Sequence, residues 1–572
     1  MNLNTDSEKN NTYDAIVVGT GISGGWAAKE LTEKGLKTLV LERGRDVKHL
    51  KDYPTTNMMP WEFKHRGEVP YEIKKDNPVV SRCYAFREDA MHFFAKDTDH
   101  PYVQEKPFDW IRGYQVGGKS ILWARQTQRW SNYDFEGPAR DGFAVDWPIR
   151  YNDLAPWYSY VEKFVGISGN KDGVDTLPDG EFLPAWGLSC IEEHFKNSVS
   201  KEYKDRYVIY ARCAHLSEPQ KIHLEQGRGQ CRGRNLCQRG CPFGGYFNAN
   251  STTIPWALKT GNLTLKPFSV VHSVIYDDAK GKATGVRVID ANTKEATEYF
   301  APVIFVNAGA INTNLILLNS KSTRFPNGLG NDNGLLGKYF AFHNYRGHIS
   351  AKYEGMLDKN STGGRPTSAY IPRFRNVKKQ ETDFLRGYAA TFWGGRGSGP
   401  NTGGYGEELK AKLMTRDNKL GPWYVGSQFM GETIPKESNY LYLDKEKKDE
   451  WGIPQVTFNV SYDDNDEKML KDFFEQYKVM FEKAGFTDIK TEDDHRAPGL
   501  DIHEMGGVRM GKDPKTSLLN KWNQMHNVPN VFVSDGACMT STSTQNPSLT
   551  YMAITARAAN HAIDLLKKKE LK

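Results

Sequence analysis

The stretch Asp14-Ala15-Ile16-Val17-Val18-Gly19-Thr20-Gly21-Ile22-Ser23-Gly24 decides the fold. Asp14–Val18 reads as a parallel strand buried on both faces, with the unbroken apolar run Ala15–Val18 at its centre. A G-x-G-x-x-G turn follows at once. Small residues through Trp26-Ala27-Ala28 carry a helix on to about Lys34, and Gly35 is placed to end it. Thr38-Leu39-Val40-Leu41 is a second strand with Glu42 at its tip. The unit is βαβ, and its residue types suit a dinucleotide. Gly19 permits the tight turn, Gly21 lets the backbone approach a pyrophosphate at the helix N-terminus, and Gly24 allows close helix–strand packing. Glu42 suits ribose hydroxyls and disfavours a 2′-phosphate. Ile22, Ser23 and Arg43 flank these positions and join them as expected cofactor contacts. The motif does not by itself choose between NAD and FAD.

Working outward, 572 residues are too many for a single core. A net charge of +6 is small for that length, and no Lys/Arg block argues for nucleic acid. No run of 18 apolar residues is present, so no direct membrane span is expected. Met1–Tyr13 lacks an apolar h-region, and the expectation is a chain with no export signal of its own. Residues 46–105 read as an irregular surface excursion. Leu263–Val288 alternates as strands around a turn at Asp277–Lys282, and Val303–Val306 is a buried strand. Residues 345–460 read as strand-like segments interrupted by Gly394–Gly406, a stretch expected to be irregular and a candidate mobile loop. Asp464–Lys483 reads as a helix, Val531–Val533 as a last buried strand and Thr550–Lys567 as a last helix. The expected class is α/β (α+β overall). A Rossmann-like nucleotide-binding domain is built from 1–50, 106–345 and 495–572. A sheet-plus-helix substrate-binding domain, 346–494 with the excursion 51–105, is inserted in it.

Four further segments carry a family resemblance. Arg112-Gly113-Tyr114-Gln115-Val116-Gly117-Gly118-Lys119-Ser120 resembles the second flavin motif of the glucose–methanol–choline (GMC) oxidoreductases. Asn307-Ala308-Gly309-Ala310 resembles their strand-to-turn element, His503-Glu504-Met505-Gly506-Gly507 their catalytic histidine segment, and Ser534-Asp535-Gly536 through Asn546-Pro547-Ser548-Leu549-Thr550 their closing flavin motif. The resemblance runs in family order over almost the whole chain. It implies FAD and oxidation of an alcohol to a carbonyl. Gly117, Gly118, Ser120, Val271, Ala308, Gly309, Asp535, Gly536, Asn546, Ser548 and Thr550 are then expected cofactor contacts.

The chemistry agrees at the C-terminal pair. Hydride removal from an alcohol carbon needs the hydroxyl proton to leave as well, and histidine titrates near working pH, so His503 suits a general base. The second catalytic position, His or Asn in the family, is Asn546 here. That pairing is similar to the subset containing pyranose oxidases and bacterial sugar dehydrogenases. Pyranose oxidases bond flavin covalently through a histidine at the position of Leu122, which has no nucleophile, so FAD is expected to be non-covalent.

Seven cysteines do not suggest a disulfide framework, and Cys83, Cys190, Cys213 and Cys538 read as buried free thiols. Cys231, Cys237 and Cys241 form C-x5-C-x3-C in a Gly- and Arg-rich loop, 226–246. The residues leave three readings open: a partial zinc site with His223 near, core cysteines, or iron–sulfur ligands. Structural zinc wants four ligands, usually in C-x2-C pairs; a [3Fe-4S] cluster takes three thiolates, one per iron. The loop is similar to that of membrane-linked FAD glucose dehydrogenase subunits, which carry [3Fe-4S] there. Extra cysteines common in that motif are absent, and other GMC-type chains keep a related segment without a demonstrated cluster.

The resemblance thus implies an FAD-dependent sugar dehydrogenase, closest in kind to glucoside 3-dehydrogenase large subunits, with electrons leaving through the cluster. It implies a small companion subunit, a cytochrome c acceptor and periplasmic work by co-export, against a plain reading as cytoplasmic. Alternatives are a glucose- or gluconate-type subunit, a pyranose-oxidase-like enzyme, a flavin-bound lyase and a non-catalytic flavoprotein scaffold.

Overall fold

The computed structural model describes residues 11–361, 365–398, 405–414 and 420–571. Its first layer is a parallel sheet of five strands in the order Val531–Phe532, Val303–Val306, Ala15–Val18, Thr38–Leu41, Leu263–Lys266. The three central strands, Val303–Val306, Ala15–Val18 and Thr38–Leu41, are buried along their whole length, which is why they read as unbroken apolar runs. The helix Ile22–Glu33 leaves the first strand through the glycine turn and ends before Gly35, whose φ of +87° suits a residue without Cβ. The last helix, Ser548–Lys567, lies against it and against Tyr151–Val165. The architecture is α/β around a parallel sheet, as expected.

The second layer is antiparallel: Ala369–Ile371, Tyr388–Ser398, Leu420–Glu432, Gly347–Tyr353 and Thr487–Asp493 in spatial order. The short strand His343–Asn344 pairs with the end of Leu420–Glu432, His343 opposite Glu432. The helix Asp464–Lys483 covers this sheet. Asp463 caps it by accepting from the amides of Asn465 and Asp466, and Asp464, Asp466 and Glu467 favour its positive end. Met469, Leu470, Phe473, Tyr477, Met480 and Phe481 recur at helical spacing and pack with Phe392 and Phe429. The hairpin Tyr440–Lys448 and Pro454–Asn459 instead joins the core of the parallel sheet, with Phe458 stacked on Phe108 at 4.4 Å.

One expectation is corrected. Gly394–Ser398 continues the strand Tyr388–Ser398, with one register shift between Arg396 and Ser398. A Cβ at Gly394 would stand 2.7 Å from Cγ2 of Ile191, so close packing on the helix beneath, not a turn, accounts for that glycine. Residues 399–404 of the expected loop lie outside the described residues.

A buried charge network ties the two layers together. Glu432 meets Arg386 at 3.0 Å and Arg373 at 3.1 Å, and Arg373 reaches Asp134 at 2.8 Å. All four side chains are at most 1% exposed.

Candidate active site and cysteine loop

A cavity of about 560 Å³ opens at the C-terminal ends of the parallel strands and runs to the antiparallel sheet. Such strand ends are where α/β sheets bind ligands. Thr20, Gly21, Ile22, Ser23, Glu42 and Arg43 line one end, Gly118 and Ser120 the flank, and Val271, Ala308, Gly309, Asp535, Gly536, Asn546 and Ser548 the remainder. Three expected contacts lie behind this wall. Gly24 packs on Gly19, where a Cβ would come 1.9 Å from the Gly19 oxygen. Gly117, at φ +91°, donates its amide to Thr20 Oγ1 at 3.1 Å. Thr550 is turned away, its hydroxyl 2.8 Å from that of Tyr158 inside the last helix.

The wall has the features a dinucleotide needs. A Cβ at Gly21 or Gly309 would meet nothing within 4 Å, so both backbones face open cavity, where a ligand can approach closely. Glu42 is buried and accepts from Thr20 Oγ1 at 2.5 Å and the Gly44 amide at 3.1 Å. Burial pushes its carboxyl upward against those hydrogen bonds. Asp535 accepts from Gly309 N, Thr313 Oγ1 and Ala537 N at 2.8, 2.6 and 3.0 Å. Burial raises it to about 6. Leu122 faces the cavity and offers no bond to a cofactor.

His503 enters from the antiparallel side. Asn546 Nδ2 donates to His503 Nε2 at 3.3 Å, leaving Nε2 unprotonated. The proton is then on Nδ1, which points at Nδ1 of His343, 2.9 Å away. Asp501 Oδ2 accepts the backbone amides of both His343 and His503, at 2.9 and 3.2 Å, fixing the two rings against each other. Burial first, then the neighbouring His343 and the Lys119 ammonium, hold His503 well below the usual imidazole range. Burial takes His343 down to about 3 and raises Asp501 to about 7. Lys119 Nζ meets Glu504 at 2.8 Å, clamping the second glycine turn to the histidine segment. Among the described residues, His343, Asp501 and His503 are the one grouping of three His, Cys, Asp or Glu ligand atoms within 4.8 Å of one another. No sequence pattern announces His343; Asp501 carries only its position two residues before His503.

Cys231, Cys237 and Cys241 line one small cavity together, with Gly245 and Tyr246. Among the described residues their sulfurs do not all come within 4.8 Å of one another, a spacing unlike that of ligands on a single zinc ion. Gly245 N donates to Cys241 Sγ at 3.3 Å. The enclosed volume is about 20 Å³, so a cluster would have to displace side chains that now close it. The histidine beside the trio is not His223, whose two nitrogens are taken by Gln220 N and the Lys163 carbonyl, each at 3.0 Å. It is His215, with Nε2 3.8 Å from Cys237 Sγ. Cys83, Cys213 and Cys538 are buried free thiols, while Cys190 is only half-buried.

Comparison with known proteins shows the family. The N-terminal GMC oxidoreductase model matches residues 13–344 and the C-terminal one residues 435–555. The chain is 27% identical to the fructose dehydrogenase large subunit of Gluconobacter japonicus, over 97% of this chain and 98% of that one. It is 25% identical to the gluconate 2-dehydrogenase flavoprotein of Pantoea cypripedii, over 95% and 92%. A crystal structure of formate oxidase from Aspergillus oryzae RIB40 superimposes with a TM-score of 0.61 at 14% identity, covering 98% of this chain and 100% of that one. The N-terminal model alone spans more than half of the sequence, and the chain belongs to the GMC oxidoreductase family.

Proposed function

We propose that this GMC oxidoreductase is an FAD-dependent sugar dehydrogenase that oxidises a secondary hydroxyl, at C3 of a glucoside or disaccharide, to the ketone. The observation that carries the reading is the His503–Asn546 pair at 3.3 Å in the cavity that also holds the glycine turn and Glu42. FAD, when bound, supplies the hydride acceptor at N5. Gly19, Gly21, Glu42, Gly309 and Asp535 would hold it, without a covalent bond at Leu122.

This chain's own residues do the rest. A substrate hydroxyl that slips between His503 and Asn546 accepts from Asn546 Nδ2 and donates to His503 Nε2. His503 is neutral because burial disfavours its cation, so it can take that proton. The proton already on Nδ1 is shared with His343, which keeps the imidazole in the tautomer that faces the substrate. His343 thus orients the base as a third member, in the way base and orienter pair in other proton-transfer sites.

Cys231, Cys237 and Cys241 would hold a [3Fe-4S] cluster that passes single electrons to a cytochrome c. A companion subunit would bring export to the periplasm. No helix among the described residues is long and apolar enough to cross a membrane. A second reading, oxidation of a keto sugar or aldonate, is favoured by the named activities of the two whole-length relatives.

The deciding experiment is anaerobic mixing with methyl α-glucoside, whose C1 is blocked. Bleaching of flavin absorbance and a 3-keto product by NMR are expected. Bleaching with fructose or gluconate alone favours the second reading, and no bleaching by any sugar leaves a flavin-bound lyase or scaffold.

A further inference from the structure

Most buried arginines here rest on carboxylates: Arg129 on Glu162, Arg212 on Asp179, Arg239 on Asp89, Arg373 on Asp134 and Arg386 on Glu432. Arg125 does not. It is 4% exposed, and among the described residues its Nε and Nη1 have no hydrogen-bond partner. Its backbone stands at φ +64°, a region that disfavours any residue with a Cβ. Its guanidinium lies 4.9 Å over the ring of Tyr246. Burial works against its charge, but the negative forms of Cys237, Tyr246, Tyr84 and Cys213, none of them a carboxylate, outweigh that and hold it above the usual range. Its place is equally specific. Arg125 lines the cofactor cavity on one side and, with Cys237 and Gln238, an open groove of about 330 Å³ on the other.

Arg228 repeats the pattern across the cysteine loop. It is 1% exposed and donates only to neutral acceptors: the Gly244 and Val165 carbonyls at 3.0 and 2.7 Å and Gln226 Oε1 at 3.1 Å. Among the described residues its Nη2 has no partner. Among the described residues Arg509 and Arg557 also lack a carboxylate partner, but they lie over Tyr339 and Trp522, at 3.8 and 4.0 Å, and neither shares a groove with Cys237 as Arg125 does. A guanidinium buried without a counter-charge is destabilising. Neutral thiols do nothing to offset that, whereas thiolates on iron do.

We infer that Arg125 is the counter-charge of the cluster held by Cys231, Cys237 and Cys241, set between that cluster and the cofactor cavity to keep it easy to reduce. The inference rests on the cluster reading above. One-electron reduction adds one negative charge to the thiolate-bound cluster and takes up no proton. A fixed cation beside it offsets that charge, so removing the cation moves the reduction potential to more negative values. Arg125 is a positioning residue in this role.

The test uses the full chain, prepared without oxygen, with iron counted per chain and the potential read by EPR-monitored redox titration. Arg125→Met is expected to shift the potential to more negative values, or to lose iron. Arg125→Lys, which keeps the charge, is expected to stay near the unaltered protein. Arg557→Met, a buried arginine away from the cysteines, is expected to leave the potential unmoved. Arg125→Gln replaces the methionine variant if that one does not fold. Iron retained at an unmoved potential in Arg125→Met overturns the inference alone, as does an equal shift or iron loss in Arg125→Lys. An unaltered protein that holds no iron overturns the cluster reading and this inference with it.

Discussion

His343 Nδ1 and His503 Nδ1 are 2.9 Å apart, with the two rings nearly perpendicular at 84°. Only one of these nitrogens can carry a hydrogen toward the other. The Asn546 amide already donates to His503 Nε2, so His503 is the donor and His343 the acceptor. Removing the His343 ring should therefore free His503 to choose the wrong tautomer. His343→Phe is expected to slow substrate-driven flavin reduction by about 10²-fold while binding FAD normally, judged by stopped-flow absorbance. His343→Gln, which can still accept, should recover part of the rate. Equal rates in the unaltered and phenylalanine proteins would dismiss the relay.

His503→Ala removes the base itself. Flavin reduction by sugar is expected to fall by about 10²–10⁴-fold with the flavin spectrum and its stoichiometry intact. A variant that bleaches at an unchanged rate would move the base elsewhere in the cavity.

The pH dependence should come from Asp501 and not from His503. Burial holds His503 well below its usual range, so it stays neutral through neutral pH. Asp501, raised to about 7 by burial, is a neutral acid below that pH and an anion above it. The anion lies 4.0 Å from His503 Nδ1, where it stabilises the imidazolium formed on proton uptake. Flavin reduction is accordingly expected to rise with pH through about 7. Asp501→Asn should hold the rate flat at its low-pH level, and a rise that survives this substitution would assign the titration to another group.

Gly21 and Gly24 should separate cofactor binding from folding. A Cβ at position 21 projects into open cavity, so Gly21→Ala is expected to keep the fold and weaken FAD binding, measured by flavin released on ultrafiltration. A Cβ at position 24 collides with backbone at 1.9 Å, and Gly24→Ala is expected to lower stability by about 1–3 kcal/mol or more in denaturant unfolding.

Glu432 pairs in register with His343 and carries the ion pairs of Arg386 and Arg373. Arg386→Met leaves that carboxylate and Asp141 short of a partner, and a loss of about 3–5 kcal/mol is expected in the same unfolding measurement. A change under about 1 kcal/mol would show the network to be slack.

By itself the sequence determined the parts whose cause is local. The run Ala15–Val18, the glycine turn and Glu42 specify the βαβ unit because strand burial, tight turning and close backbone approach each demand particular residue types within a few positions. The apolar spacing of Asp464–Lys483 specifies a helix with the same bounds the structure gives. His503 and Asn546 were legible through motif resemblance, 43 positions apart. Only tertiary structure decided what crosses the chain at long range. His343 reaches His503 over 160 positions because the register of one short strand against Gly431 and Glu432 carries it there, and no local pattern encodes register between distant strands. Gly394 looked like loop because glycine marks both free turns and crowded contacts, and only the packed Ile191 beneath it tells them apart. The choice of His215 over His223, and the place of Arg125 between two cavities, were fixed by which buried groups found partners and which did not.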